Sequence, residues 1–145
     1  PDDPTPIPIT SRHKHLGVTL DSKLDWSHHF RNLEKRASSV VGILYGHLPH
    51  ISPECRKTFY HTYVLPIFLY CCVVWCGAGN GLFAKLEIVH RRILRAILRL
   101  PPETNIAVLY ENCCTFPLKH YIDRSSCVYI HKIKLITAPQ HVQHS

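Results

Sequence analysis

Five cations crowd one short segment of this 145-residue chain: Lys85, Arg91, Arg92, Arg95 and Arg99. If the segment is helical, 100° per residue places them within an arc of roughly 120°. Leu86, Val89, Ile93, Leu94, Ile97 and Leu98 fill the rest of the circumference. A helix that packs on most of its surface and keeps one strip of guanidinium groups in solvent suits the phosphates of a nucleic-acid backbone, because the planar guanidinium meets phosphate oxygens in pairs. Glu87 is the one acid among these cations and offers little internal pairing. The whole chain leans the same way, with 17 Lys and Arg against 10 Asp and Glu and a formal net charge of +7. Such a balance favours a polyanionic partner.

Other chemistry finds less support. Seven Cys and 12 His invite a metal reading, yet no C-x2-C pair repeats at finger-like separation. Cys71, Cys72 and Cys76 fall in an apolar run and read as small buried hydrophobes. The histidines scatter, and His13, His15, His28, His29, His47, His50 and His61 are expected mostly on the surface. Two-metal nucleotidyl transfer needs carboxylates close together on a strand turn. Asp2-Asp3 is the one adjacent acidic pair, and it sits in a proline-rich end with no apolar strand before it. Neither a G-x-S-x-G elbow nor a G-x-x-x-x-G-K loop occurs, so hydrolase and NTPase readings have no motif. No catalytic residue, metal site or cofactor is assigned.

The elements that must position these residues follow from periodicity. Residues 1–9 carry four Pro, which resist helix and cannot donate to a ladder, so a linker or strand edge is expected there. His13 to Leu20 alternates at period two through Leu16, Val18 and Leu20, as a half-buried strand does. From Asp25, a candidate N-cap, the period changes to three and four: Trp26, Phe30, Leu33, Ala37, Val40, Val41, Leu44 and Leu48 form one apolar helical stripe. Ser52-Pro53-Glu54 reads as a helix start, and that second helix is expected to run to about Trp75 with a kink at Pro66.

From Thr58 to Ala84 the sequence has no Asp, Glu, Lys or Arg. The apolar heart of this run is shorter than the about 18 residues a membrane span needs, so a buried core helix is expected and no membrane partner. Trp75 should sit in that core, against the apolar faces of the first and third helices. The glycines from Gly77 to Gly81 precede the third helix, about Leu82 to Leu100, which Pro101-Pro102 ends. A short helix near Asn105 to Glu111 and a last one from Pro117 to about Ile136 complete the chain. The expected fold is mainly α: a short N-terminal strand or hairpin, then a bundle of four to five helices. Residues 1–21 form the strand-bearing end, 22–137 the helical region and 138–145 a frayed tail.

The order of these signals resembles non-LTR retrotransposon reverse transcriptases of the LINE or jockey type. His15-Leu16-Gly17-Val18-Thr19-Leu20-Asp21 is similar to the segment that follows their catalytic Asp-Asp turn, with His15 where Tyr is usual. Leu24-Asp25-Trp26 with His29, Lys35-Arg36-Ala37, Leu44-Tyr45, Leu65-Pro66, Tyr70-Cys71 and Trp75 match in the same order. Lys85-Leu86-Glu87, Val89, Arg92, Leu94-Arg95, Ile97-Leu98 and Leu100-Pro101 resemble the family's most recognisable helix, and Thr104, Leu109-Tyr110 and Pro117-Leu118 continue the match.

The resemblance covers about residues 6–135 and implies a position: the end of the palm, with Leu16, Gly17 and Val18 in the palm-end strand, followed by the thumb. It implies that a basic helix grips an RNA or DNA duplex or hybrid, and that the remainder of the reverse transcriptase is a partner. It also implies Mg2+ only in a catalytic palm outside this chain, while seven Cys without a spaced disulfide framework favour reduced thiols in an intracellular setting, nuclear or cytoplasmic. Departures accompany the match. Cys72 and Cys76 replace small or polar residues, Arg91-Arg92 is more basic than usual, and the Asp-Asp turn is absent, so no polymerase activity is expected of the chain alone. Two other readings compete: a transposon relic without function, and a helical protein-interaction domain whose arginines meet an acidic protein.

Overall fold

The computed structural model describes residues 9–137. Most of the proline-rich end and the whole of the tail expected at 138–145 lie outside the described residues. Strands β1 (Arg12–His15) and β2 (Val18–Asp21) form an antiparallel hairpin in which His15 faces Val18 and Arg12 faces Asp21. The run expected as one alternating strand is thus folded in half. Leu16 and Gly17 make the two-residue turn, both with positive φ (46° and 83°), the geometry whose twist matches that of the flanking strands.

Helix α1 (Ser27–Tyr45) buries Phe30, Leu33, Ala37 and Val41, the expected stripe. Asp25 lies two residues before it and accepts from the Ser27 N–H and hydroxyl, which holds its carboxyl below the ordinary value. Helix α2 (Pro53–Phe59) starts as read, with the Ser52 hydroxyl accepting from the Cys55 N–H. It passes through a π turn (Tyr60–Val64) into α3 (Leu65–Leu69). Pro66 has no N–H, and its ring would meet the carbonyl four residues back; widening the helix just before it, with the Leu65 N–H reaching the Tyr60 carbonyl, relieves the clash. The helix does not continue to Trp75. Cys71 turns left-handed (φ 51°) and α4 (Cys72–Trp75) starts on a new axis.

Helix α5 (Asn80–Leu98) ends with Arg99 in the left-handed conformation, its N–H bonded to the Ala96 carbonyl and the Leu100 N–H to that of Arg95. Helices α6 (Ile106–Cys113) and α7 (Leu118–Thr137) follow, with the Asn105 side chain capping α6 through the Ala107 N–H. Among the described residues the five expected helices become six bodies, with α2 and α3 continuous through the π turn, because the second breaks at Cys71.

The core lies where α1, the α2–α3 arm, α4 and α5 meet, and the uncharged run supplies its centre. Trp75 is fully buried between Phe30 of α1, at 5.1 Å between ring centres, and Phe83 of α5, at 6.2 Å. No helix among the described residues is long and apolar enough to cross a membrane.

A polar network runs through this core. Glu87 accepts from Tyr110 Oη, from His90 Nδ1 (3.0 Å) and from the Leu118 N–H (2.8 Å), so one carboxylate ties α5 to α6 and α7. Because a carboxylate only accepts, His90 donates through Nδ1, and its Nε2 accepts from the Tyr60 hydroxyl (2.5 Å); the chain continues through Thr115 to Tyr121. Burial alone would raise the Glu87 carboxyl; the bonds from His90, Tyr110 and Leu118 outweigh it and hold the group below its ordinary value. Glu87 thus pairs little with the cations of its own helix, with Arg91 Nε 3.9 Å away, and instead serves a buried network that periodicity within the helix does not show. The expectation of surface histidines fails at His29, and His90 is likewise wholly buried.

His29 docks the hairpin. Its Nδ1 accepts the Thr19 N–H (3.3 Å), Asn32 Nδ2 donates to the Thr19 hydroxyl (3.1 Å), and Tyr70 Oη donates to the Leu16 carbonyl (2.9 Å). A Cβ on Gly17 would lie 3.3 Å from the Tyr70 ring, so that glycine serves both the turn and the close approach.

Replacing Trp75 by Ala should cost on the order of 3–5 kcal/mol in chemical denaturation, since it leaves a cavity between Phe30 and Phe83. The pH dependence should show two windows. Burial, with Arg36 nearby, lowers the His29 pKa, so its contribution is full above about 6.5 and fades as pH falls. NMR protection of the Thr19 amide should decline first in that window. Glu87 contributes above about 4.5 and is lost as pH falls through its lower folded value. Global stability should therefore drop below pH 4.5, and Glu87→Gln should flatten that loss while lowering stability at neutral pH.

Candidate nucleic-acid interface

Helix α5 is held so firmly that its cations have fixed and different surroundings. Arg92 and Arg99 are exposed, as is Lys85, whereas Arg91 and Arg95 are half-buried. The Arg91 side chain lies over the network, with Nε 3.9 Å from Glu87. Arg95 Nη2 donates to the Thr104 carbonyl (3.2 Å) and so pins the turn that follows Pro101-Pro102. The uniform solvent strip expected from 100° spacing is therefore graded: three cations face outward and two are partly used by the fold.

Arg92 Nη2 donates to Glu34 of α1 at 3.2 Å. Both side chains are well exposed, 65% and 42%, so the pair contributes at most ~1 kcal/mol and an arriving phosphate can replace it. Arg99 has no hydrogen-bond acceptor among the described residues. Arg56, from the last turn of α2, donates to the Ile97 carbonyl at 3.5 Å and adds a cation at the negative end of α5.

Arg92, Arg95 and Arg99 converge on a groove of about 650 Å³ between the ends of α1 and α5. Tyr45, Leu48 and Pro49 line it from the end of α1 and just beyond, and Leu100, Pro101 and Pro102 from the residues that follow α5; no acid lines it. Lys85 stands apart in a smaller groove with Arg31 and Glu34. Lys14, Lys35 and Arg36 line a third, with Gly17, Thr19 and His29, between hairpin and α1. Of the residues expected in one palm-end strand, Leu16 and Gly17 form the turn and Val18 opens β2 with its side chain buried.

Among the described residues no cluster of three His, Cys, Asp or Glu is placed to hold a metal. Asp2-Asp3 lies outside the described residues. Cys72 and Cys113 are buried, and burial pushes the Cys113 thiol up to about 12, which keeps it protonated. Cys71 and Cys76 are only partly covered, so the reading of small buried hydrophobes suits Cys72 better than its neighbours.

Sequence reasoning missed Glu34, Tyr45 and Arg56, whose relevance depends on which helices meet. It also missed His90, though a signal existed. Glu87 and His90 are spaced i, i+3 beside Leu86, Val89 and Ile93, and polar residues so close to an apolar stripe call for a partner.

Comparison with known proteins places this geometry in context. The chain is 24% identical over 127 residues to the probable RNA-directed DNA polymerase from transposon BS of Drosophila melanogaster, a match that takes in 86% of this chain and 14% of that protein. It is 26% identical over 95 residues to the probable RNA-directed DNA polymerase from the transposon X-element of the same fly, covering 63% of this chain and 10% of the relative. No family model matches. No solved structure matches. The chain is thus similar to a region of transposon RNA-directed DNA polymerases and spans about one seventh of the first of these relatives.

Proposed function

We infer that this chain is the palm-end and thumb portion of a retrotransposon RNA-directed DNA polymerase, and that it grips primer-template nucleic acid while carboxylates elsewhere in the longer protein perform the chemistry. The observation that carries the reading is the convergence of Arg92, Arg95 and Arg99 on one acid-free groove at the end of α5. The similarity to transposon polymerases supports the same assignment. Phosphate oxygens carry no sequence information, so exposed guanidiniums on a rigid helix would fix register on a duplex or RNA–DNA hybrid.

The hairpin fits the reading as well. A two-stranded ribbon is marginal on its own. Here β2 is docked on α1 through Val18 and Thr19, and the side chains of β1 are all exposed. That bare strand is the surface the remainder of the polymerase would cover. Mg2+ belongs, in this reading, to carboxylates outside the chain, and the setting is intracellular, where such a polymerase meets its template.

Fluorescence anisotropy with a blunt RNA–DNA hybrid tests the proposal. The Arg92→Glu/Arg99→Glu double variant should bind at least about tenfold more weakly, a loss of ~1.4 kcal/mol or more, with unchanged helical circular dichroism. Glu34→Gln should bind the hybrid about twofold more tightly, because it removes the competitor for Arg92. Equal affinity of parent and double variant would reject the assignment. Arg95 is a poor choice for this test, since its side chain also holds the Thr104 turn.

A further inference from the structure

The groove at the end of α5 has a feature that duplex binding does not use. Tyr45, the last residue of α1, is 66% exposed at its wall, an aromatic ring left in solvent beside three arginines. Leu100, Pro101 and Pro102 add apolar surface to the same cavity, and the fully covered Leu48 also lines it. At about 650 Å³ the cavity falls within the roughly 300–1,000 Å³ of small-ligand sites and is far too small to enclose a double helix. Arg99 adds a second observation. It occupies a left-handed position (φ 55°, ψ 42°) at which glycine is the usual residue. The strain is kept where a guanidinium lines the groove and has no acceptor among the described residues.

We propose that this groove takes one unpaired nucleotide at the end of a bound strand, its base against the Tyr45 ring and the proline wall and its phosphate on Arg99 and Arg92. The inference rests on the nucleic-acid reading above and names the part of the nucleic acid that this groove holds. Stacking suits the site because every base presents a π face, so recognition here is of an unpaired end and is indifferent to sequence. A blunt end exposes one face of its terminal base pair, but a base that stays paired cannot enter a cavity of this size. The anion contact comes from the exposed Arg99 and from Arg92 once it leaves Glu34, while Arg95, tied to Thr104, adds a fixed charge to the lining.

Three hybrids separate the contributions in an anisotropy assay with the 145-residue chain: blunt, carrying a short single-stranded extension, and carrying the same extension without its bases. The parent chain should bind the extended hybrid about tenfold more tightly than the blunt one, the gain that stacking of one base supplies, and the abasic extension should give little of it. Tyr45→Ala should lose the gain and keep the affinity for the blunt hybrid, whereas Tyr45→Trp should retain both. Equal binding of blunt and extended hybrids by the parent, an equal gain from the abasic extension, or a gain that survives Tyr45→Ala would each overturn the inference. So would displacement of the extended strand by poly-glutamate as effective as by single strand, which would assign the groove to an acidic peptide. The two readings fail separately: blunt affinity indifferent to Arg92 and Arg99 sinks the duplex grip alone, and the Tyr45 arm decides the unpaired-nucleotide site.

Discussion

The Glu87 carboxylate sits where α5, α6 and α7 meet, and it accepts from His90, Tyr110 and the first N–H of α7 together. Each partner is itself buried or half-buried, so each would be left unsatisfied without the acid, at a cost of ~1–3 kcal/mol per group. The network extends through His90 to Tyr60 in the π turn, and His61 next to it reaches the Cys113 carbonyl at the end of α6 (2.8 Å). Four elements are thus fixed in rotation about their axes by hydrogen bonds and not by apolar packing alone. Apolar contact tolerates small rotations of a helix; a chain of buried polar contacts does not.

That constraint sets what α5 shows to solvent. With Glu87 and His90 turned inward and Leu94 and Ile97 in the core, Arg92 and Arg99 must face out beside α1, and Arg91 must lie over the network. The groove forms because α1 ends at Tyr45, just where α5 ends at Leu98, and because the Arg95 bond to Thr104 holds the two prolines against the gap. Stability and the candidate interface are therefore parts of one arrangement. The same logic applies to the hairpin, whose Leu16-Gly17 turn is held by Tyr70 at the other end of the core arm.

Local signals carried much of this in the sequence. Ser52, Asn105 and Pro117 mark helix starts that the structure keeps, because capping is decided within four residues. Trp75 was legible as core because an uncharged run with an aromatic has few other stable placements. The hairpin turn was harder, since Leu16 adopts a conformation in which leucine is uncommon and no Asn-Gly or Asp-Gly marks the reversal. The break at Cys71 likewise has no glycine to announce it. The burial of Arg91 and Arg95 and the role of Glu87 depend on Tyr110, Leu118 and Thr104, which periodicity within α5 cannot see. The groove needed residues from α1 and from beyond α5, and only their meeting in space makes Tyr45 relevant.

In the proposed reading, a few guanidiniums at the end of α5 bind a nucleic-acid backbone. The dependence of hybrid affinity on salt tests it most directly, because each neutralised phosphate releases condensed counterions. Two or three arginine contacts predict a slope of log affinity against log salt of roughly −2 to −3, reduced by about two units when Arg92 and Arg99 are both changed to Gln. A slope near zero, or one that the double variant leaves unchanged, would contradict the claim.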